Sequence, residues 1–407
     1  MRVETAHNHA MSANARRFLI LMLLQAFAVG LSNIFVNLYI WNIDHSLLTQ
    51  ARYSLSQSAA ILLSFPLCSL HARRSSPMAS SRVGLVLFML AYAVILWLQE
   101  DCAQHVVLIG GMLGLAVSFF VIGQHMQFLE NAQDAQRDRF LYAANYMTSG
   151  AAIVAPLLAG WLIRHIAGAP GYSTVFGLSL LAFAAAAWWS TRITSHPLAR
   201  QSNLLGAWRN KQRTWRGMFW VSTAMATVQG TYTSFLVTIM AFSILQDEFA
   251  LGAYTAMVAL VGLVSSVALA ARSQARHRLR TYTVGALLVC AASIALALVQ
   301  QPGMLVVYGI ASAIGMNTIT TCEMAWSYAA IESAPDYAQH KLDYIVVREI
   351  PLGMGRMVGV GLFLLLNSQF ASQVLTLGFA LFGAVYLALV PALRWIWQPA
   401  TPILQKT

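Results

Sequence analysis

Residues 18–42 read FLILMLLQAFAVGLSNIFVNLYIWN. No charged side chain interrupts them, and Arg16 and Arg17 stand immediately before. A helix crossing the hydrocarbon core of a bilayer needs about 20 predominantly apolar residues, so this run predicts a membrane span. It is too long for the apolar core of a signal peptide, roughly 7–15 residues, and is followed by no clear cleavage site. It is expected to stay attached as the first span.

Further runs of the same kind follow near 50–70, 83–99, 106–128, 140–163 and 172–190, and then near 217–244, 251–271, 283–300, 304–328, 343–366 and 374–393. The composition agrees. Hydrophobic residues are 58% of the 407 and charged residues 10%, where a soluble domain carries about 25% charge. Mean hydropathy is +0.63. A chain this apolar has lipid as its solvent, and the reading is an all-α membrane protein of twelve transmembrane helices.

The formal net charge is +11, from 25 Lys and Arg against 14 Asp and Glu. The basic residues are dispersed between apolar runs, which reads as a topology signal and excludes nucleic acid as partner. Alternate loops hold Arg16 and Arg17, then Arg73, Arg74 and Arg82, then Arg137 and Arg139, and later Arg272, Arg276, Arg278 and Arg280. The opposite loops hold little besides Arg164. Lys and Arg are retained on the cytoplasmic side, so the expectation is a multi-pass protein of the cytoplasmic (inner) membrane with both termini cytoplasmic. The basic stretch 191–216 divides the chain into an N-terminal six-helix half, 1–190, and a C-terminal half, 217–407.

The halves echo each other. Gly30-x-x-Asn33-x-Phe35 is matched by Gly230-x-x-Thr233-x-Phe235, the basic pair Arg73-Arg74 by the loop Arg272 to Arg280, and Gln136-Arg137 by His340-Lys341. Three matches in register suggest parallel repeats related by an axis along the membrane normal.

With these features in hand, the chain resembles the major facilitator superfamily, and most closely its uncharacterised bacterial members. The segment between helices 2 and 3 reads Leu70-His71-Ala72-Arg73-Arg74: the family's basic pair is present, while its Asp and leading Gly are missing. Helix 5 carries SGAAIVAPLLAG, residues 149–160, which is similar to a reduced form of the Gly/Pro motif of the family's antiporters. The resemblance implies two pseudo-symmetric halves rocking around a central cavity lined by helices 1 and 7, in a monomer that is embedded in the lipid bilayer and moves a small-molecule substrate; with no ATP site, the expected driver is a proton or solute gradient.

Ionisable groups in the hydrocarbon core cost at least roughly 2.5–3.5 kcal/mol, so they are site candidates by default. Helix 10 carries Asn317, Glu323 and, one turn on, Trp326; helix 11 carries Arg348, Glu349 and Arg356. At about 1.5 Å per residue, Glu323 and Arg348 fall at one depth on antiparallel neighbours. The cluster reads either as proton coupling and gating or as a structural ion-pair network. Glu323 and Glu349 are the acidic residues this reading places within helix cores. Arg356 lies deeper and suits an anionic solute group. Asn33 and Asn37, four apart on helix 1, Gln229 and Thr233 on helix 7, and Asn145 on helix 5 either contact solute or bridge helices. His125 on helix 4 either relays protons or packs. Trp326 either stacks on solute or anchors a helix end.

No phosphate-binding loop of the G-x-x-x-x-G-K-[ST] type is present, so no built-in ATPase is expected. Cys68, Cys102, Cys290 and Cys322 lack metal-ligand spacing, and neither a cofactor nor a metal is implied. No catalytic constellation appears, so the chain does not read as an enzyme. The expected function is secondary active transport of a small solute by alternating access, proton-coupled, with export favoured. The alternatives are a lipid or glycolipid flippase of the same fold and a non-transporting membrane sensor or scaffold.

Overall fold

The computed structural model describes residues 11–131, 137–166, 168–196, 202–272, 277–334 and 337–397. Among them, twelve helices are long and apolar enough to cross a membrane. They are α1 (Ala13–Asp44), α2 (Leu47–Arg74), α3 (Pro77–Leu98), α4 (Val106–Asn131), α5 (Arg137–Ile166) and α6 (Gly168–Ser190). After a short linker helix, Leu204–Arg209, come α7 (Arg213–Leu245), α8 (Glu248–Arg272), α9 (Arg278–Leu298), α10 (Pro302–Glu332), α11 (Tyr337–Gln369) and α12 (Val374–Trp397). Of the basic loop positions, Arg200 and Arg276 lie outside the described residues, as do the side chains of Arg137, Arg139 and Arg272.

Local chemistry starts the helices and shortens the turns. Ser12, Ser46 and Ser76 each accept a hydrogen bond from the backbone N–H three residues on, capping α1, α2 and α3. Such caps satisfy donors that a helix start otherwise leaves open. Pro77 takes the first position of α3, where a missing N–H costs nothing. The α1–α2 turn needs only His45 and Ser46, because His45 adopts a left-handed conformation (φ 50°) and the Asp44 carboxylate accepts from Ser46 N and Thr49 Oγ1.

The packing repeats with a period of six helices. In the first six, α1 packs on α5 and α6, α2 on α4, and α3 on α4 and α6. In the second six, α7 packs on α11 and α12, α8 on α10, and α9 on α10 and α12. The two sets meet along α2 with α11 and along α5 with α8, which are counterparts under the same repeat. The fold is therefore two pseudo-symmetric six-helix sets. Membrane helices approach closely where small residues line the contact. A methyl group on Gly160 of α5 would collide with the Glu248 carbonyl of α8, and one on Gly252 with the Pro156 carbonyl of α5. The motif 149–160 thus supplies the α5–α8 seam.

α7 is not α-helical throughout. Gln229–Leu236 forms a π-helical segment, a geometry that is rare and concentrates at functional sites.

Candidate functional site

A crevice of about 540 Å³ lies between α1, α4 and α5, lined by Gln25, Gly30, Gln124, Asn145 and Thr148 among apolar side chains. Its polar groups are neutral amides and a hydroxyl. Asn145 also donates to Ser266 Oγ of α8 at 3.1 Å, so one side chain both lines the crevice and ties the two six-helix sets together.

The charges stand on the opposite set. Arg348 of α11 places Nη2 at 3.1 and 3.2 Å from the two carboxylate oxygens of Glu323 on α10. Ser327 and Ser222 donate to Glu323 Oε1 at 2.7 and 3.2 Å. Antiparallel neighbours thus bring Glu323 and Arg348 to one depth, and both are largely buried. The second acid, Glu349, is buried and makes no hydrogen bond among the described residues. His125 likewise makes none. It follows the crevice-lining Gln124 in the chain and stands near enough to Glu349 and Arg348 to feel their charges, which links the crevice to the α11 cluster.

Arg356 lies near the middle of α11, half-buried, with no hydrogen bond or ion pair among the described residues. Two turns separate it from Glu349 on one helix face. Its backbone abuts Gly230 of the π-helical segment, where no Cβ would fit.

The other sequence candidates are distributed differently. Asn33 and Thr233 are exposed, and Gln229 is half-buried. Asn37 is buried where α1 meets α7, donating to Ser234 O. Asn317 bridges α10 to α8, donating to Gly262 O and Ser265 Oγ. Trp326 is buried, its ring against Tyr282 and Trp397. The structure brings together Glu323, Arg348, Glu349 and His125. It leaves Asn317 and Trp326 occupied with neighbouring helices.

One acidic residue corrects the sequence reading, which placed only Glu323 and Glu349 within helix cores. Asp343, in the first turns of α11, is 0% exposed. It accepts from Arg73 Nη2 of α2 (2.8 Å), Ser202 Oγ (2.9 Å) and Asn203 N (3.1 Å) of the linker, and lies 3.1 Å from His340 Nδ1. Arg73, read as a topology signal, is its buried counter-ion. Beside this pair a small apolar cluster joins Phe65 and Ala72 of α2, Ile122 and Met126 of α4, and Leu342 and Val346 of α11. The available signal was the spacing: His340 and Asp343 are three apart, with apolar Leu342 and Val346 on the buried face.

Twelve membrane-length helices in two repeated sets, with a crevice between helices and charges buried among them, are the architecture of a membrane transporter. The chain belongs to the Major Facilitator Superfamily, whose model matches residues 18–342. It is 26% identical over 364 residues to YqgE, an uncharacterised protein of Bacillus subtilis (strain 168), covering 88% of this chain and 84% of that protein. It is 27% identical over 151 residues to an uncharacterised protein of Geobacillus stearothermophilus, covering 37% of this chain and 71% of that one. Among solved structures, the nucleoside transporter NupG superposes with TM-score 0.70 at 12% identity, covering 95% of this chain and all of that one. A point variant of the Escherichia coli fucose:proton symporter FucP superposes with TM-score 0.64 at 13% identity, covering 93% and 97%. At these identities the structural likeness concerns the fold. The protein is a multi-pass membrane protein and a secondary transporter.

Proposed function

We propose that this transporter moves a small organic anion, coupled to protons, with both termini in the cytoplasm and the halves 1–190 and 217–407 rocking about the basic linker 191–216. The observation that carries the reading is Arg356. A guanidinium held in mid-membrane is costly, and such groups normally pair with one another or with carbonyls. Arg348 and Arg73 each have a carboxylate; Arg356 has no partner among the described residues. A carboxylate or phosphate on the solute supplies the missing counter-charge, in the planar geometry a guanidinium favours. Glu349, two turns away and without a hydrogen bond, is the coupling carboxylate, and its charge acts on His125. Proton uptake at Glu349 changes the charge beside Arg348 and Arg356, so occupancy by solute and by proton influence each other. The reduced Gly/Pro motif at 149–160, and the apolar Met22, Val29 and Phe128 among the crevice's amides, favour export.

The test compares aliphatic and aromatic carboxylates with their neutral amides on purified protein. Carboxylates raise the thermal midpoint and amides do not, since a ligand of the native state stabilises by mass action. Arg356→Gln loses the shift. Glu349→Gln keeps it but loses the dependence of carboxylate flux on an imposed pH gradient in proteoliposomes. Equal stabilisation by amides, or a full shift in Arg356→Gln, refutes the assignment.

A second reading, lipid translocation, is favoured by an apolar groove of about 520 Å³ between α8 and α10, lined by Leu260, Val264, Ala268, Leu269 and Ile314. Transfer of a fluorescent phospholipid between leaflets by the reconstituted protein, unaffected by carboxylates, would support it over the first.

A further inference from the structure

At the end of the helices opposite the Arg73–Asp343 pair, α1, α2 and α7 meet in a buried cluster of oxygens. Asn37 of α1 and Gln50 of α2 are 4% and 0% exposed. Gln50 Nε2 donates to Asn37 O at 2.8 Å. Asn37 Nδ2 donates to Asn33 O and to Ser234 O of α7, each at 3.2 Å. All three partners are main-chain acceptors, so neither amide can be turned over without setting oxygen against oxygen. The network fixes both amide nitrogens and thereby leaves Asn37 Oδ1 and Gln50 Oε1 buried with no donor. Thr231 Oγ1, on the same stretch of α7 and 0% exposed, is a third buried oxygen without a partner.

The surroundings are also oxygen-rich. Ser54 Oγ donates to Gly230 O at 2.6 Å and stands 3.1 Å from Ser234 Oγ. Gly230, Thr231 and Ser234 belong to the π-helical segment, whose carbonyls depart from regular α-helical pairing. Buried acceptors call for a donor or a cation. Two unpartnered amide oxygens at one seam, with no Lys or Arg side chain hydrogen-bonded to Asn37, Gln50, Ser54 or Ser234 among the described residues, point to a cation.

We propose a sodium-ion site at the α1–α2–α7 seam, with Asn37 Oδ1 and Gln50 Oε1 as side-chain ligands and the π-helical stretch of α7 contributing oxygen. The ligand chemistry selects the ion. Hard cations take oxygen ligands, and divalent ions rely on carboxylates that these contacts lack. Irregular helical backbone coordinating Na⁺ with carbonyls is an established solution inside membranes. Asn37 sits seven residues inside the end of α1, about 10 Å along the helix, so the ion would be shielded from bulk water. Because its ligands come from both six-helix sets, the ion holds this seam closed and makes its opening depend on sodium. Asn37, a candidate solute contact by sequence, becomes an ion ligand.

The experiment uses the purified full-length protein without any solute, so it stands or falls separately from the anion assignment. Its thermal midpoint is followed in NaCl against choline chloride at matched ionic strength, with KCl as a further arm. Wild type shows a saturable rise in sodium that choline does not reproduce. Gln50→Leu and Asn37→Leu lose the sodium-dependent part. Gln50→Glu, which adds a carboxylate to the same position, lowers the half-saturating sodium concentration, and this arm decides the matter if the leucine variants fail to fold. Identical curves in sodium and choline mean that the oxygens hold only water, and overturn the proposal. So does an undiminished sodium response in Gln50→Leu, or one unaltered in Gln50→Glu.

Discussion

The Arg73–Asp343 pair makes a sharp energetic test. The Arg73 side chain is 5% exposed and that of Asp343 0%. Asp343→Ala removes the acceptor of four polar groups and takes the carboxylate away from the buried Arg73 guanidinium. Removing one member of a buried pair costs about 3–5 kcal/mol, chiefly because the other charge stays buried. We expect a loss near the middle of that range, about 4 kcal/mol. Arg73→Ala is milder, because Ser202, Asn203 N and His340 still surround the carboxylate; we expect about 3 kcal/mol. In the double variant neither charge is stranded, so its loss is close to the larger single loss rather than to both together. That leaves a coupling of about 2 kcal/mol or more, where independent sites agree within about 0.5. The measurement is a double-mutant cycle of denaturant unfolding in mixed micelles, read by tryptophan fluorescence. If the double variant loses as much as the two singles combined, the residues do not act as a pair and the reasoning fails.

Glu323→Gln keeps an acceptor for Ser222 and Ser327 but removes the salt-bridge partner of Arg348, leaving it only the Glu349 charge nearby. It should cost about 3 kcal/mol by thermal or denaturant unfolding, most of it recovered in Glu323→Gln/Arg348→Gln. Gly160→Val forces α5 from α8 and should cost about 1–3 kcal/mol in the same assay, as overpacking does. Gly150→Val, ten residues earlier with open space around it, should be close to neutral. Reporters fused to either end of the chain should both signal the cytoplasm; opposite compartments would overturn the charge-based topology.

The spans were legible because their cause is local. A membrane helix must satisfy its backbone internally and present apolar side chains to lipid, and both demands are written in consecutive residues. The run 18–42 thus announces α1, which extends to Ala13–Asp44 only because Ser12 caps one end and His45 turns the other. The Glu323–Arg348 contact was legible too, since counting 1.5 Å per residue from opposite ends puts both at one depth. What escaped depends on rotation and on non-local partners. Asp343 lay at a predicted helix edge, and nothing local marks Arg73, 270 positions away, as its counter-ion. The orphaned oxygens of Asn37 and Gln50 depend on which neighbouring carbonyls hold their nitrogens. Nor does any periodicity in Gln229–Leu236 disclose a π-helix.

The distribution of charge along α11 separates fixed groups from free ones. Asp343, Arg348, Glu349 and Arg356 run from its start to mid-membrane, whereas the related helix α5 carries the neutral Asn145 near the level of Arg348 and Glu349. Asp343 and Arg348 are each neutralised by a carboxylate–guanidinium contact across a helix seam. Such contacts offset desolvation, and they change only when the helices move. Glu349 and Arg356 lack them and share one face. A group already paired gains little from a solute or a proton; an unpaired one gains its whole missing partner. On the proposed function, coupling between binding and rocking would therefore belong to Glu349 and Arg356 rather than to the paired charges on either side. On this argument, exchanging the paired charges as Glu323→Arg/Arg348→Glu should leave carboxylate-induced stabilisation largely intact, while Arg356→Glu should abolish it. The reverse outcome would move the solute site to the α10–α11 ion pair.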